Sequence, residues 1–308
     1  MHIACCFAGS DDDARAWASE LASALPEATV RVWTPGDPPA DYAVVWKATQ
    51  AFIDSQTGLR AIFNAGAGID ALAGLRLPTG VPLIRLEDAG MSEQMSDYVV
   101  HAVLHHFREF DVYAAQAAAR SWMPRRLRRK AEFPVGILGF GVLGQAVATS
   151  LASLGFPIVA WANHPRTHSS VPVYAGVDSL IEFLHASRIL VCLLPLTAAT
   201  ERILNRSTLQ ALKPGSYVIN VARGAHLDVD ALFESMKDGH VAGATLDVFK
   251  AEPIPPDDPI WKHPNVRITP HIAASTLRPE AAAQIAAKVR KLEKGEAISG
   301  IVDASRGY

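Results

Sequence analysis

Three side chains in the last third of the chain are of the types that anion capture and proton transfer require. Arg223 follows the apolar run of "INVARGAHLD", and His271 stands in "TPHIAAST" after the run "VRI". A guanidinium can clamp a carboxylate with two parallel hydrogen bonds, and a histidine held by a carboxylate can act as an acid near neutral pH. Between the two, "LDVFKAEPIPPDDP" carries Asp247 and Glu252. A lone histidine ahead of a helix is more often a cap or a core partner. The arginine and the glutamate are what point to chemistry here.

Upstream, Gly139, Gly141 and Gly144 form G-x-G-x-x-G after the strand-like "VGIL" and ahead of the helix-like "VLGQAVATSLASLG". An ordinary tight turn can show the same glycines. In a strand-turn-helix setting they also make the turn, admit a pyrophosphate to the helix N-terminus and let helix pack on strand, which predicts dinucleotide binding. Such a unit usually carries an acid about 20 residues on, for the ribose hydroxyls. Here the next strand ends in Ala162, followed by Asn163, His164 and Arg166. With no acid to repel a 2′-phosphate and Arg166 able to bind one, NADPH is expected to be preferred, with NAD still usable if Arg166 points to water.

These residues need strand ends to hold them. "HIACCF", "TVRVW", "YAVVWKA", "LRAIFNAG" and "VPLIRLED" alternate with helical patterns in the first third. A second series follows from Phe133, "PVGILG", "PIVAWA", "RILVCLLP", "SYVINVA", "VAGATLDV" and "VRITPHI". Val, Ile and Leu runs with little polar alternation mark parallel strands covered on both faces. The expectation is α/β, with two doubly wound parallel-sheet domains and a cleft between them. A single long helix is expected from Ser92 as N-cap through "SEQMSDYVVHAVLHHFREFDVYAAQAAA". The segment "RPEAAAQIAAKVRKLEKGE" reads as a helix returning to the first domain. The domains are then 1–98 with 276–308, for substrate, and 99–275, for the dinucleotide. "NAGAGID", at 64–70, follows a strand, and its backbone N–H groups can form an anion nest for a carboxylate, although a plain strand-to-helix turn would look the same.

The motifs "GILGFGVLG", "INVARGAH", "LDVFKAEP" and "TPHIAAST" resemble, in order and spacing, the D-isomer-specific 2-hydroxyacid dehydrogenase family. "VVWKA", "NAGAGIDAL", "PLIRLEDAGMSEQM" and the ending "VDASRGY" resemble most its glyoxylate/hydroxypyruvate reductase A group. The resemblance spans nearly the whole chain. It implies a flavodoxin-like substrate domain beside a Rossmann domain, and NADPH-preferring reduction of small 2-oxo acids, glyoxylate to glycolate and hydroxypyruvate to glycerate. It implies Arg223 as substrate anchor, His271 as acid/base and Glu252 as the group that holds the histidine. Cofactor contacts are implied for Gly139, Gly141, Val142, Leu143, Gly144, Asn163, His164, Arg166, Leu194, Pro195 and Ala222, and for Asp247 at the nicotinamide amide. Substrate contacts are implied for Trp46, Lys47, Ala67, Gly68 and Ile69, beside Arg223 and His271. Lys47-Ala48 stand where relatives of this kind are expected to carry proline. A dehydrogenase for a bulkier 2-hydroxy acid and a non-catalytic dinucleotide-sensing regulator share much of this pattern. The family resemblance further implies a homodimer, and 116–130 is the expected part of the contact.

The bulk composition narrows the partners. A chain of 308 residues with 49% hydrophobic residues has room for two full cores, and a formal net charge of -2 provides no global field for nucleic acid or a membrane surface. The basic run "PRRLRRK" is short and reads as a solvated linker or a subunit contact. His101, His105 and His106 include an i, i+4 pair but lack an evident third ligand, so no metal is expected. Trp122 is either a surface aromatic or a group reaching a partner's active site. Cys5, Cys6 and Cys192 read as buried thiols in a reducing compartment. The opening "MHIACCFAGSDDD" lacks a basic leader, and no apolar run approaches membrane-spanning length, so the expected location is the cytoplasm.

Overall fold

The computed structural model describes residues 1–72, 74–165 and 170–303. The chain divides into two compact units, 1–91 with 275–308, and 92–274. In the first, strands β1 (His2–Phe7), β2 (Thr29–Val32), β3 (Tyr42–Trp46), β4 (Ala61–Asn64) and β5 (Leu83–Ile84) form one sheet in the order β2-β1-β3-β4-β5. All four pairings are parallel. This is the doubly wound order in which ligands meet the carboxyl ends of the strands. Ala43, Val45 and Ile62 are fully buried and pack on Phe52 of the helix Gln50–Ser55.

The C-terminal helix Arg278–Glu293 belongs to this first unit. Arg278 pairs with Asp13 at 2.6 Å and Arg290 with Glu27 at 2.7 Å, which fasten it beside the helix Asp11–Ala24. The phenol of Tyr42 donates to Glu293 at 2.8 Å.

In the second unit, β6 (Val135–Leu138), β7 (Ile158–Ala162), β8 (Val173–Ala175), β9 (Ile189–Cys192), β10 (Ser216–Asn220), β11 (Val241–Leu246) and β12 (Val266–Ile268) form a parallel sheet. Its order is β12-β11-β10-β9-β6-β7-β8. Alternate residues of one strand serve two different cores. Ile137, Val191 and Ile219 face Val99, Val103, Val147 and Leu151; Leu138, Leu190 and Val218 face Phe183, Leu209 and Leu232. With both faces covered, neither has a polar alternate, and the strands read as unbroken apolar runs.

The long helix expected from Ser92 is two. Helix Met91–Phe107 starts one residue earlier, so Ser92 lies in its first turn, and Phe110–Ala118 follows after a break. At the break Glu109 adopts φ 56 and its carboxylate pairs with Arg125 at 2.9 Å and Arg128 at 3.0 Å. Arg128 also donates to the carbonyl of His106 at 2.9 Å, filling an acceptor that the helix end leaves open. Met95, Val99, Ala102, Val103 and Phe107 all sink into the second unit's core, so the expected boundary at 98/99 falls inside an element that belongs to that unit.

Candidate active site

The sheet of the second unit brings the chemistry-bearing residues to one edge by register. Trp161, Leu138, Cys192, Asn220, Leu246 and Ile268 pair across the sheet as a single row. Each expected motif starts just beyond that row. Gly139 follows Leu138, Leu194-Pro195 follow the end of β9, and Ala222-Arg223 follow Asn220; Asp247 follows Leu246, and His271 lies three residues beyond Ile268. In parallel strands this is the carboxyl edge.

The glycine turn fits a dinucleotide on steric grounds. Gly139 has φ +107, and a Cβ there would lie 2.7 Å from the backbone of Leu193. A Cβ on Gly144 would lie 2.1 Å from the carbonyl oxygen of Gly139. Gly141 is different: a Cβ would meet nothing within 4 Å, so the protein's own packing does not require glycine there. Gly141 is the N-cap of helix Val142–Ser153, which has no side-chain cap. Open space before an uncapped helix N-terminus suits a pyrophosphate. Val142 is exposed and Leu143 partly so. Beyond β7, Ala162 is buried while Asn163 and His164 are exposed; Arg166 lies outside the described residues.

Arg223 sits at the head of a short 3-10 turn, Gly224–His226. The buried Asn220 sets that turn, since its side-chain amide donates to the carbonyl of Arg223 at 3.0 Å and its oxygen accepts from the N–H of Ala222 at 3.2 Å. Gly224 lets the next segment pass, because a Cβ would lie 2.0 Å from the backbone carbon of Phe249. The arginine loop and the loop carrying Glu252 are thus packed backbone to backbone.

Nδ1 of His271 is 2.8 Å from Oε2 of Glu252, whose Oε1 accepts the N–H of Phe249 at 2.8 Å. Burial pushes the Glu252 carboxyl up, but the bond from His271, the Phe249 N–H and the charges of His271 and Arg223 outweigh it, and the net direction is down. His271 is held in a left-handed backbone conformation, φ 56. Among the described residues, Nε2 of His271 makes no hydrogen bond, which leaves that nitrogen to face a ligand.

Asp247, expected at the nicotinamide amide, is buried and heavily engaged within the protein. Oδ1 accepts the Thr269 hydroxyl at 2.5 Å and the Ile272 N–H at 2.9 Å, and Oδ2 accepts the Ala273 N–H at 2.8 Å. Pro195 contributes its carbonyl to Thr200 and to the buried His226. Asn220 and Thr269 were not among the expected site residues; the visible signal for Asn220 is an amide closing an apolar strand.

In the first unit the 64–70 turn is organised by Asn64. Its amide donates to the carbonyls of Gly66 at 2.8 Å and Gly68 at 2.9 Å, turning both inward. A Cβ on Gly66 would lie 2.5 Å from the ring of Trp46, so Trp46 packs directly against this turn. Ala67, Gly68 and Ile69 are partly exposed, and Lys47 is exposed with φ 53.

Trp122 is exposed, while the adjacent His105 and His106 have structural partners. His106 is half-buried and stacks on Tyr217 with ring centroids 4.1 Å apart, and His105 lies 3.4 Å from Asp111. Among the described residues no group of three or more His, Cys, Asp or Glu side chains could hold a metal ion, and no helix is long and apolar enough to cross a membrane. Cys5 and Cys192 are buried free thiols, and Cys6 is half-buried rather than fully so because it lies near the open end of β1.

Residues 100–273 match the model of the D-isomer specific 2-hydroxyacid dehydrogenase NAD binding domain. The chain is 44% identical over 303 residues to glyoxylate/hydroxypyruvate reductase A of Serratia proteamaculans, covering 96% of this chain and 97% of that protein. A D-isomer specific 2-hydroxyacid dehydrogenase from Xanthobacter autotrophicus Py2, solved with NADPH and MES, superposes with a TM-score of 0.93 at 38% identity over 99% of both chains. The NADPH-dependent glyoxylate/hydroxypyruvate reductase of Sinorhizobium meliloti, solved with NADP and sulfate, gives 0.92 at 31% identity, covering 100% of this chain and 99% of that one. With the glycine turn, the arginine loop and the Glu252–His271 pair on one sheet edge, this chain belongs to the D-isomer specific 2-hydroxyacid dehydrogenase family.

Proposed function

We propose that this protein reduces short 2-oxo acids, glyoxylate and hydroxypyruvate, with NADPH preferred over NADH. The observation that carries the reading is the His271–Glu252 pair at 2.8 Å with Nε2 left for a ligand, beside Arg223. The glycine turn and the N-terminus of helix Val142–Ser153 hold the cofactor's pyrophosphate, and Asn163, His164 and Arg166 take the 2′-phosphate. Held there, NADPH would supply the hydride for the carbonyl carbon.

Arg223 binds the substrate carboxylate through its planar fork and stabilises negative charge on the carbonyl oxygen. His271, protonated, passes its Nε2 proton to that oxygen as the alcohol forms, and Glu252 holds the imidazolium through Nδ1. A proton returns to Nε2 from solvent before the next turnover. In the first unit the N–H groups at Ala67, Gly68 and Ile69 provide a second anion-binding element, supported by the inward turn of the Gly66 and Gly68 carbonyls. Trp46 and Lys47 flank it. The protein acts in the cytoplasm as a homodimer, and the exposed apolar side chains of Phe110, Trp122, Met123 and Leu127 support the subunit contact.

Initial rates with glyoxylate and hydroxypyruvate, each against NADPH and NADH, test the reading, with bulkier 2-oxo acids as comparison. Fast NADPH-dependent reduction of the two small acids is the expected result. Preference for a bulkier acid would move the substrate assignment. Cofactor binding without turnover of any acid would favour a dinucleotide-sensing regulator.

A further inference from the structure

His271 has to hold a left-handed backbone conformation, φ 56, that a residue with a Cβ rarely adopts, and such a conformation persists only where its surroundings over-determine it. The surroundings are a chain of hydrogen bonds running from the helix Met91–Phe107 to the histidine loop. The Tyr98 hydroxyl lies 2.5 Å from the Thr269 hydroxyl, which lies 2.5 Å from Oδ1 of Asp247. The same carboxylate accepts the N–H groups of Ile272 and Ala273, the two residues after His271, and the N–H of His271 donates to the Asp247 carbonyl at 2.8 Å. The chain has one proton order. A carboxylate that takes two N–H bonds acts as acceptor, so Thr269 donates to Asp247 and Thr269 in turn accepts from Tyr98. Burial pushes the Tyr98 phenol up to about 12, helped by the nearby Asp247 and opposed by its bond to Thr269, so Tyr98 keeps its proton.

We infer that Tyr98 and Thr269 are positioning residues for the catalytic histidine, acting through Asp247 to clamp the 269–273 loop in the conformation that presents Nε2 of His271. Neither residue hydrogen-bonds to the imidazole. Their effect travels through the backbone N–H groups that follow His271, while Glu252 restrains the ring itself. The inference rests on the proposed acid role of His271, but the clamp exists independently of substrate.

The test uses the full chain carrying Tyr98→Phe, Thr269→Val or Thr269→Ser. Loss of either hydroxyl removes one link with little change of shape. The expected result is faster hydrogen exchange at the Ile272 and Ala273 amides in Tyr98→Phe and Thr269→Val, with kcat for hydroxypyruvate down roughly tenfold and the NADPH KM little changed. Thr269→Ser, which keeps the hydroxyl, should recover most of both losses. In the double variant the kcat losses should not multiply, because the links act in series. In a His271→Ala background, Tyr98→Phe should lower the residual rate no further, which a merely structural role would not produce. Unchanged exchange at Ile272 and Ala273, or kcat losses that multiply independently, would overturn the clamp. If the wild-type protein turned over no 2-oxo acid, the functional reading would fall, and the amide exchange alone would still decide whether the clamp exists.

Discussion

Glu252 holds His271 with one carboxylate oxygen, at 2.8 Å from Nδ1, and is itself held through the other by the N–H of Phe249 at 2.8 Å. Both oxygens are therefore spoken for, and the ring is fixed without using Nε2.

Replacing Glu252 by Gln removes the charge and leaves one acceptor oxygen where two N–H groups now bond, so either Nδ1–H of His271 or the N–H of Phe249 loses its partner. The kcat for reduction should fall roughly tenfold or more, part of what a positioned proton donor contributes, while cofactor affinity stays near wild type. The pH dependence has a definite sign. The Glu252 carboxyl lies below the ordinary glutamate value, so the pair's stabilisation is present above that value and is lost as pH falls through the lowered one. Thermal melts of wild type and Glu252→Gln should differ at neutral pH and converge in strong acid.

Gly144 and Gly141 should separate folding from binding. Gly144→Ala drives a Cβ toward the Gly139 carbonyl, a contact that packing cannot absorb, and should cost about 1–3 kcal/mol or more. Gly141→Ala meets no protein atom, so its melting temperature should match wild type while cofactor affinity drops roughly tenfold or more. Melts paired with nicotinamide fluorescence titrations check both.

Arg166→Ala should raise the KM for NADPH and leave that for NADH nearly unchanged, narrowing the preference by roughly one to two orders of magnitude, as loss of a charge-assisted bond to a phosphate implies. Equal effects on both cofactors would remove Arg166 from the 2′-phosphate site.

His106 is a pH liability of the fold. Burial, with the charges of Arg128, Arg188 and Arg267, pushes its imidazole down to about 3. A histidine depressed in the folded state contributes stability above its unfolded pKa that is lost as pH falls toward the folded one. Denaturant melts between neutral and acid pH should therefore show stability falling by on the order of a few kcal/mol, and His106→Phe should flatten that decline.

The parallel sheets were legible because "VGIL" and "ILVC" are buried on both faces and contain no polar alternates. Gly139 was legible through its turn conformation, φ +107, and Gly144 through its close approach to the neighbouring Gly139 carbonyl, both local demands, whereas the approach of Leu193 to Gly139 appears only in the packed fold. The break at Glu109 was not, since it depends on Arg125 and Arg128 reaching back from a distant segment. The Asp247 contacts were hidden for the same reason: Tyr98 and Thr269 are far apart in sequence, and only the packed fold joins them. Asn64 ends an apolar strand with a buried amide, a signal that pointed to a turn without revealing which carbonyls it would hold.

Steady-state NADPH oxidation with hydroxypyruvate, measured for wild type and His271→Ala with cofactor affinity determined alongside, tests the proton-donor assignment most directly. Wild type should turn over, and His271→Ala should lose about 10²–10⁴-fold in kcat while binding NADPH as before. A His271→Ala protein that binds NADPH and still turns over at the wild-type rate would contradict the role of the histidine and the site built around it.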